Sequence, residues 1–239
     1  MTERTLTWSY GGGTQSIAIA ILIAQGRLPR PECIVMADTG REATEVWEYH
    51  DHYVAPLLAA IGLTVEIASH SLATVDLYAH NGDLLVPAYT SAGKLRTFCS
   101  DEWKKDVFRR YMRAKGYGPD RPITTWLGFS LDELSRLKHS DVQWCAYHWP
   151  LCYDAPMTRG ECAALVEAHG WPKPPKSSCY ICPHRQNDQW RRLRDEYPAD
   201  WQKAVETDHL IRERDIHQAV FLHRARLPLD QADLGQAED

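Results

Sequence analysis

With 239 residues, 44% of them apolar and 25% charged, the chain has an ordinary globular composition and can bury roughly 70–75% of its unfolded surface, which makes a packed core rather than disorder the default reading. Its 27 basic against 32 acidic residues give a formal net charge of −5, so a nucleic acid would have to be met by a local basic patch rather than by the whole molecule. Seven cysteines, an odd number, argue for thiols or metal ligands rather than a fully paired disulfide framework. The polar start Met1-Thr2-Glu3-Arg4 and the shortness of the longest apolar run predict a cytoplasmic protein without a membrane span.

The first elements are organised around a glycine turn. A strand-like Thr5 to Ser9 passes through Tyr10 into Gly11-Gly12-Gly13-Thr14-Gln15-Ser16, and Ile17 to Ala24 follows as an apolar run of helical length. Glycines there let a phosphate approach the main chain, Ser9, Thr14 and Ser16 add hydroxyl donors, and the helix start adds the positive end of its dipole. The turn lacks the Gly-Lys-[Ser/Thr] ending of a Walker loop and the Gly-x-Gly-x-x-Gly order of a dinucleotide fingerprint; a plain strand–helix turn is the competing reading. Glu32 to Ala37 reads as a second, fully buried strand ending in Asp38-Thr39-Gly40-Arg41-Glu42. A helix from about residue 43 to 61 follows, with Asp38 or Thr39 as its cap. Gly62 to Ile67 gives a third strand, so strands and helices alternate at crossover spacing and a parallel sheet follows. Polar residues at the carboxyl end of such strands sit where open sheets bind ligands.

Periodicity fades from Ser69 to Phe98, a length that suggests a lid or binding loop. Ser100 or Asp101 then starts a helix to about Lys115, whose Lys104, Lys105, Arg109, Arg110 and Arg113 form a basic face suited to pyrophosphate or a nucleic-acid backbone, or simply solvated. Thr124 to Gly128 is a fourth strand candidate, and Ser130 with Glu133 has the spacing of a capping box. The stretch from Trp144 to Trp149 suits base stacking or packing. Thr158 and Glu161 form another capping box, opening a helix to about His169. Pro172, Pro174 and Pro175 force an extended approach to Ser177-Ser178-Cys179-Tyr180-Ile181-Cys182-Pro183, and a polar helix follows from about Asp188. A Cys-x-x-Cys alone fits a redox pair, half a zinc site or part of an iron–sulfur site.

Several of these motifs together resemble one family. The glycine turn is similar to the Ser-Gly-Gly-x-Asp-Ser loop of the N-type ATP pyrophosphatases and, more closely, to the Ser-[Phe/Tyr]-Gly-x-x-Gln variant of the phosphoadenosine phosphosulfate (PAPS) reductase family, with Gln15 where many pyrophosphatases carry Asp. Asp38-Thr39-Gly40 with Glu42, Glu45 and Tyr49 resembles that family's second motif, near adenine and ribose. Cys99, Ser100 and Lys104, with Arg96 shifted by one, resemble Arg-x-Cys-[Ser/Thr]-x-x-x-Lys, and Gly128 to Arg136 resembles Gly-[Ile/Phe]-x-x-[Asp/Glu]-Glu-x-x-Arg. Trp149 to Trp190 follows Tyr-Pro-Leu…Arg-x-x-Cys…Gly-x-x-x-Pro-Pro-x-Ser-x-Cys-x-x-Cys-Pro…Trp with few departures.

The resemblance implies a doubly wound, mostly parallel α/β fold of the adenine nucleotide α-hydrolase type over residues 1–140 and a smaller helical, cysteine-bearing subdomain over 141–239. It implies ATP with Mg²⁺ on Ser9, Gly11, Gly12, Gly13, Gln15, Ser16, Asp38, Thr39, Gly128, Ser130, Glu133 and Arg136, with Lys104 and Arg109 set against developing pyrophosphate charge. Cys99, Cys162, Cys179 and Cys182 would ligate a [4Fe–4S] cluster, with Zn²⁺ as the alternative and Cys145, Cys152 and His184 in reserve. The family's Glu-Cys-Gly-x-x-His tail is missing and no cysteine follows Cys182, which disfavours thiol-based reduction of PAPS. The implied activity is an ATP pyrophosphatase that adenylates a substrate for sulfur transfer, similar to the ATPases of DNA phosphorothioation and tRNA thiolation. DNA or tRNA is the candidate acceptor and a sulfur-donor protein the candidate partner. A reductase of adenylated sulfate and a zinc-braced binding module without turnover are the alternatives.

Overall fold

Five parallel strands make the central sheet: β1 (Thr5–Ser9), β2 (Cys33–Asp38), β3 (Val65–Ser69), β4 (Ile123–Leu127) and β5 (Cys145–His148), in the spatial order β3-β2-β1-β4-β5. The computed structural model describes residues 4–69, 77–214 and 219–235. The chain winds outward from β1 through β2 to β3, then crosses to the other side of β1 for β4 and β5. The order therefore reverses between β1 and β4, and a ligand crevice opens where two such strands end. Ser9 pairs with Leu127 there, so the segments leaving β1 and β4 start side by side.

Apolar layers cover both faces of the sheet. On one lies α1 (Thr14–Ala24), whose residues from Ile17 to Ile23 are buried all round because α6 (Arg159–Ala168) covers its outer side. Each isoleucine or leucine among them contributes about 1.5–3 kcal/mol by leaving water. On the other face α4 (Asp106–Ala114) sets Val107, Phe108 and Met112 against Val35, Ile123 and Cys145. Two inward threonines of neighbouring strands, Thr7 and Thr125, satisfy each other at 2.9 Å.

The helix expected over 43–61 is three pieces, α2 (Thr44–Tyr49), a π-helical turn (His50–Val54) and α3 (Ala55–Ala59). Its cap differs from expectation. Asp38 Oδ1 accepts from Gly40 N at 2.7 Å and Thr39 Oγ1 from Arg41 N at 3.2 Å, while the amide of Thr44 is met at 2.7 Å by Asp200 Oδ2, from α8 (Pro198–Arg214).

A second core joins distant parts of the sequence. Leu77, Tyr78, Leu84, Leu85, Val86 and Ala88 pack with Trp103, Ile181, and with Trp190 and Leu193 of α7 (Asn187–Glu196). Much of the stretch expected to be a lid is thus a strap pinned by its own apolar side chains, followed by a hairpin of Tyr89–Thr90 with Gly93–Lys94; residues 70–76 of that stretch lie outside the described residues. The sheet runs on past residue 140, where the sequence suggested that the helical subdomain starts, because β5 pairs with β4 and α6 packs on α1. Among the described residues no helix is long and apolar enough to cross a membrane.

Candidate nucleotide and thiol site

At the switch point the glycine turn opens a cavity of about 280 Å³, lined by Gly11, Gly13, Thr14, Gln15 and Ser16 from one side and Gly128, Phe129, Glu133 and Arg136 from the other. Gly12 lies beneath, at φ +69°, where an added Cβ would stand 2.8 Å from Val46 Cγ1; Gly128 has Ser16 Oγ 3.1 Å from its Cβ position. Both glycines are therefore demanded by close approach, Gly12 also by backbone angle. Ser16 Oγ accepts from Gly11 N at 3.1 Å and draws the turn closed. Helix α1 has Gly13 as its N-cap, with no side-chain cap and no acidic residue in its first turn, which leaves its amide end available to an anion.

Polar groups brace the far wall. Gln15 Nε2 donates to Glu133 Oε2 at 2.9 Å and to the buried Ser130 Oγ at 3.5 Å, and Glu133 Oε1 pairs with Arg136, whose guanidinium lies over the Phe129 ring. Gln15 thus serves as a donor; an aspartate there would face Glu133 with like charge. Ser130 starts a 3-10 turn (Leu131–Arg136) without a side-chain capping bond, in place of the capping box expected of it.

A second cavity, about 560 Å³, adjoins the first. Cys99, Cys179 and Cys182 share its wall with Trp103, Lys104 and His184, and Arg136, Lys176 and Ser177 line both cavities. Behind the thiols, Lys104 Nζ lies 2.8 Å from the buried Glu42 Oε1. No well-oriented hydrogen bond supports either Glu42 oxygen, so the ammonium is their partner among the described residues. Burial foremost, and then Glu42, push the Cys179 thiol up to about 12 against the opposing pull of Lys104; burial also raises Cys99. Burial works against the charge of Lys104, but Glu42 and Cys179 outweigh it and raise its pKa. Thr39 belongs to this second cavity's surroundings rather than to the first, with Oγ1 3.4 Å from Cys179 Sγ.

Other expected residues stand elsewhere. Ser9, Gly12, Asp38, Thr39 and Ser130 are not in the wall of the glycine cavity. Arg109 lines neither cavity: it is held by Asp141, by Ser140 Oγ at 3.2 Å and by Tyr147 Oη at 3.0 Å, on the α4 side of the sheet. Cys162 is fully buried in the core cluster that α6 shares with α1, together with Trp8, Ile17 and Val166, and is not brought to Cys99, Cys179 and Cys182. Its place on the inner face of α6 is the reason. Of the reserves, Cys145 is in the core and Cys152, in the short α5 (Pro150–Tyr153), donates to Phe129 O at 3.4 Å, while His184 does line the thiol cavity. Among the described residues no three His, Cys, Asp or Glu side chains converge closely enough to hold a single metal ion. The basic face of α4 is largely spent on Asp101, Asp141 and Tyr117 O, and Trp149 is buried, so packing prevails over stacking there.

Lys176, Ser177 and Arg159 were given no site role from the sequence, although Arg159 and Ser177 are specified positions of the last motif, yet all three line the glycine cavity. Ser177 Oγ donates to Gly11 O, which binds the cysteine segment to the turn. Lys176 is the unspecified position of Pro-Pro-x-Ser-x-Cys, and only its place between prolines and thiols hinted at a role.

Fold and site define a doubly wound α/β protein with a glycine-turn cavity at the switch point and a thiol cavity beside it. Solved structures are similar to it, two of them as follows. Phosphoadenylyl-sulfate (PAPS) reductase from Candida auris, in a phosphate complex, is 14% identical at a TM-score of 0.49, covering 72% of this chain and 76% of that one. The U34-tRNA thiolase NcsA from Methanococcus maripaludis, with its [4Fe-4S] cluster, is 15% identical at a TM-score of 0.44, covering 88% of this chain and 72% of that one. No family model and no curated protein sequence matches the chain.

Proposed function

We propose that this chain is an ATP pyrophosphatase of the PAPS reductase family that adenylates a nucleic-acid acceptor, DNA or tRNA, for sulfur transfer. The observation that carries the reading is the shared wall: a phosphate on the glycine turn and a sulfur at the thiols would meet across Arg136, Lys176 and Ser177. In the first step an acceptor oxygen attacks the α-phosphorus of ATP and pyrophosphate leaves with its electron pair. In the second a sulfur nucleophile takes the acceptor carbon or phosphorus and AMP departs on the oxygen.

The amides of the turn and the start of α1 would hold the phosphates, with Mg²⁺ offsetting their charge. Glu133 is the carboxylate in that wall, and Gln15 orients it. Lys104, paired to Glu42, would fix charge behind the thiols rather than reach the leaving pyrophosphate. Cys99, Cys179 and Cys182 are free thiols on one cavity with cations around it, a donor set that suits the thiolate ligation and negative charge of an iron–sulfur cluster. When bound, such a cluster would hold or pass sulfur. A sulfur-donor protein and a cytoplasmic setting belong to the same reading.

The test is pyrophosphate release from ATP by anaerobically purified protein with DNA and with tRNA, alongside iron, sulfide and zinc content. Nucleic-acid-dependent release with iron and sulfide in the protein is the expected result. Absence of ATP cleavage with either acceptor would refute the enzyme reading.

A further inference from the structure

We infer that Lys176 forms a phosphate-holding site at the join of the two cavities, its ammonium binding a phosphoryl oxygen of the nucleotide on the side that faces the thiols. The inference rests on the nucleotide reading above and names a contact that reading does not supply.

Charge accounting and burial together single out this lysine. Lys104 is paired with Glu42 and Arg136 with Glu133, so two of the cations lining the cavities are already neutralised by carboxylates, while Arg159, which also lines the glycine cavity, is exposed to solvent. Lys176 Nζ donates instead to two neutral acceptors, the carbonyl of His184 and Gln189 Oε1, the latter at 3.2 Å. No carboxylate forms an ion pair with it among the described residues. An ammonium has three donors, and two neutral anchors aim it while leaving the third for a ligand.

Its surroundings make an anion the fitting ligand. Lys176 is half-buried in a segment clamped onto the glycine turn, where Ser177 Oγ donates to Gly11 O and Ser177 Cβ lies 3.1 Å from the Cβ position of Gly13. A cation that has lost water without gaining a counter-charge is costly until an anion arrives. The turn delivers such an anion to the same wall, since Lys176 lines the cavity at the amide end of α1. A lysine acts there as a mobile point charge, suited to a phosphate whose charge is rearranging.

The experiment is calorimetric titration of the iron-loaded protein with α,β-methylene-ATP and with adenosine, which lacks phosphate. K176Q should weaken the analogue about 10- to 100-fold, the range of a lost charged hydrogen bond, and leave adenosine unchanged. Gln189→Leu, which removes one anchor without touching the charge, should weaken the analogue by a smaller factor and keeps the test open if K176Q folds poorly. Equal affinity of K176Q and wild type for the analogue, or equal losses for analogue and adenosine, would overturn the inference while leaving the nucleotide reading intact. If the wild type binds neither probe, the nucleotide reading fails and this contact with it.

Discussion

Alanine at Gly12 separates the two demands that the glycine turn makes on sequence. The residue sits at φ +69°, which costs an L-residue about 1–2 kcal/mol, and its Cβ would stand 2.8 Å from Val46 Cγ1, well inside the ~3.5–4.0 Å of a comfortable carbon contact. Overpacking of that kind adds about 1–3 kcal/mol, so Gly12→Ala should destabilise the fold by ~2–5 kcal/mol in all. Gly26 is the internal control, because it has the same φ of +69° and nothing within 4 Å of its Cβ position. Gly26→Ala should therefore show the backbone cost of ~1–2 kcal/mol alone. For a chain of this length 1 kcal/mol moves the melting temperature by about 2–4 °C, so the two variants should fall by roughly 4–20 °C and 2–8 °C in thermal denaturation followed by circular dichroism. Calorimetry with α,β-methylene-ATP completes the comparison: Gly12→Ala should lose affinity as the turn shifts, and Gly26→Ala should keep it. Equal melting losses and equal affinities would refute the claim that this turn is built around a close approach to α2.

Serine at Cys99, Cys179 or Cys182 should each lower the iron content measured after anaerobic purification. Cys162→Ser should keep the iron but lose about 1–3 kcal/mol in urea unfolding, because its hydroxyl would be buried among apolar side chains. Glu45→Gln should cost about 3–5 kcal/mol in the same assay, since it strands Arg185, whose side chain is only 1% exposed at 3.1 Å from Glu45 Oε1; a loss under 1 kcal/mol would count against that pair. The hydrogen bond from Arg109 holds Asp141 at about 2, below the ordinary 3.8. A carboxyl depressed in the folded state stabilises above the higher value and loses that contribution as pH falls toward the lower. The stability gap between wild type and Asp141→Asn should therefore shrink from about pH 4 and vanish near pH 2, and a gap that persists at pH 2 would contradict the assignment.

The parallel sheet was legible because its strands end in recognisable punctuation: the glycines after β1, Asp38-Thr39-Gly40 after β2 and Gly128 after β4. β5 escaped because Trp144 to Trp149 mixes aromatic and polar residues without a clean alternation, and only pairing with β4 makes it a strand. Facing was harder to read than helicity. Lys104 and Arg109 share a basic stretch, but five residues are about 140° apart around an α-helix, and the π-helical turn over Asp101–Lys105 shifts the register further. One therefore turns to the thiols and the other to Asp141. Cys162 did carry a signal that was overridden by its resemblance to a ligand: with Leu165 and Val166 it stands at i, i+3 and i+4, the stripe by which α6 packs on α1.

What sequence spacing could not supply is the path of the segment before Cys179, and that path determines how the two cavities relate. Tyr49 Oη donates to Pro172 O at 2.9 Å, Ser177 reaches Gly11 O, Ala43 N donates to Ser178 O at 3.4 Å and Tyr180 N to Arg41 O at 2.9 Å. Arg185 then ties the carbonyls of Ser178 and Cys179 to Glu45 of α2. The segment is thus hydrogen-bonded to the turn after β1, whose glycines line the first cavity, to the turn after β2 and to the helix beyond. A group bound at the thiols that orders this segment also orders Lys176 and Ser177, and a phosphate that fixes those two constrains Cys179 in return. Such coupling must be equal in both directions when expressed as binding free energy.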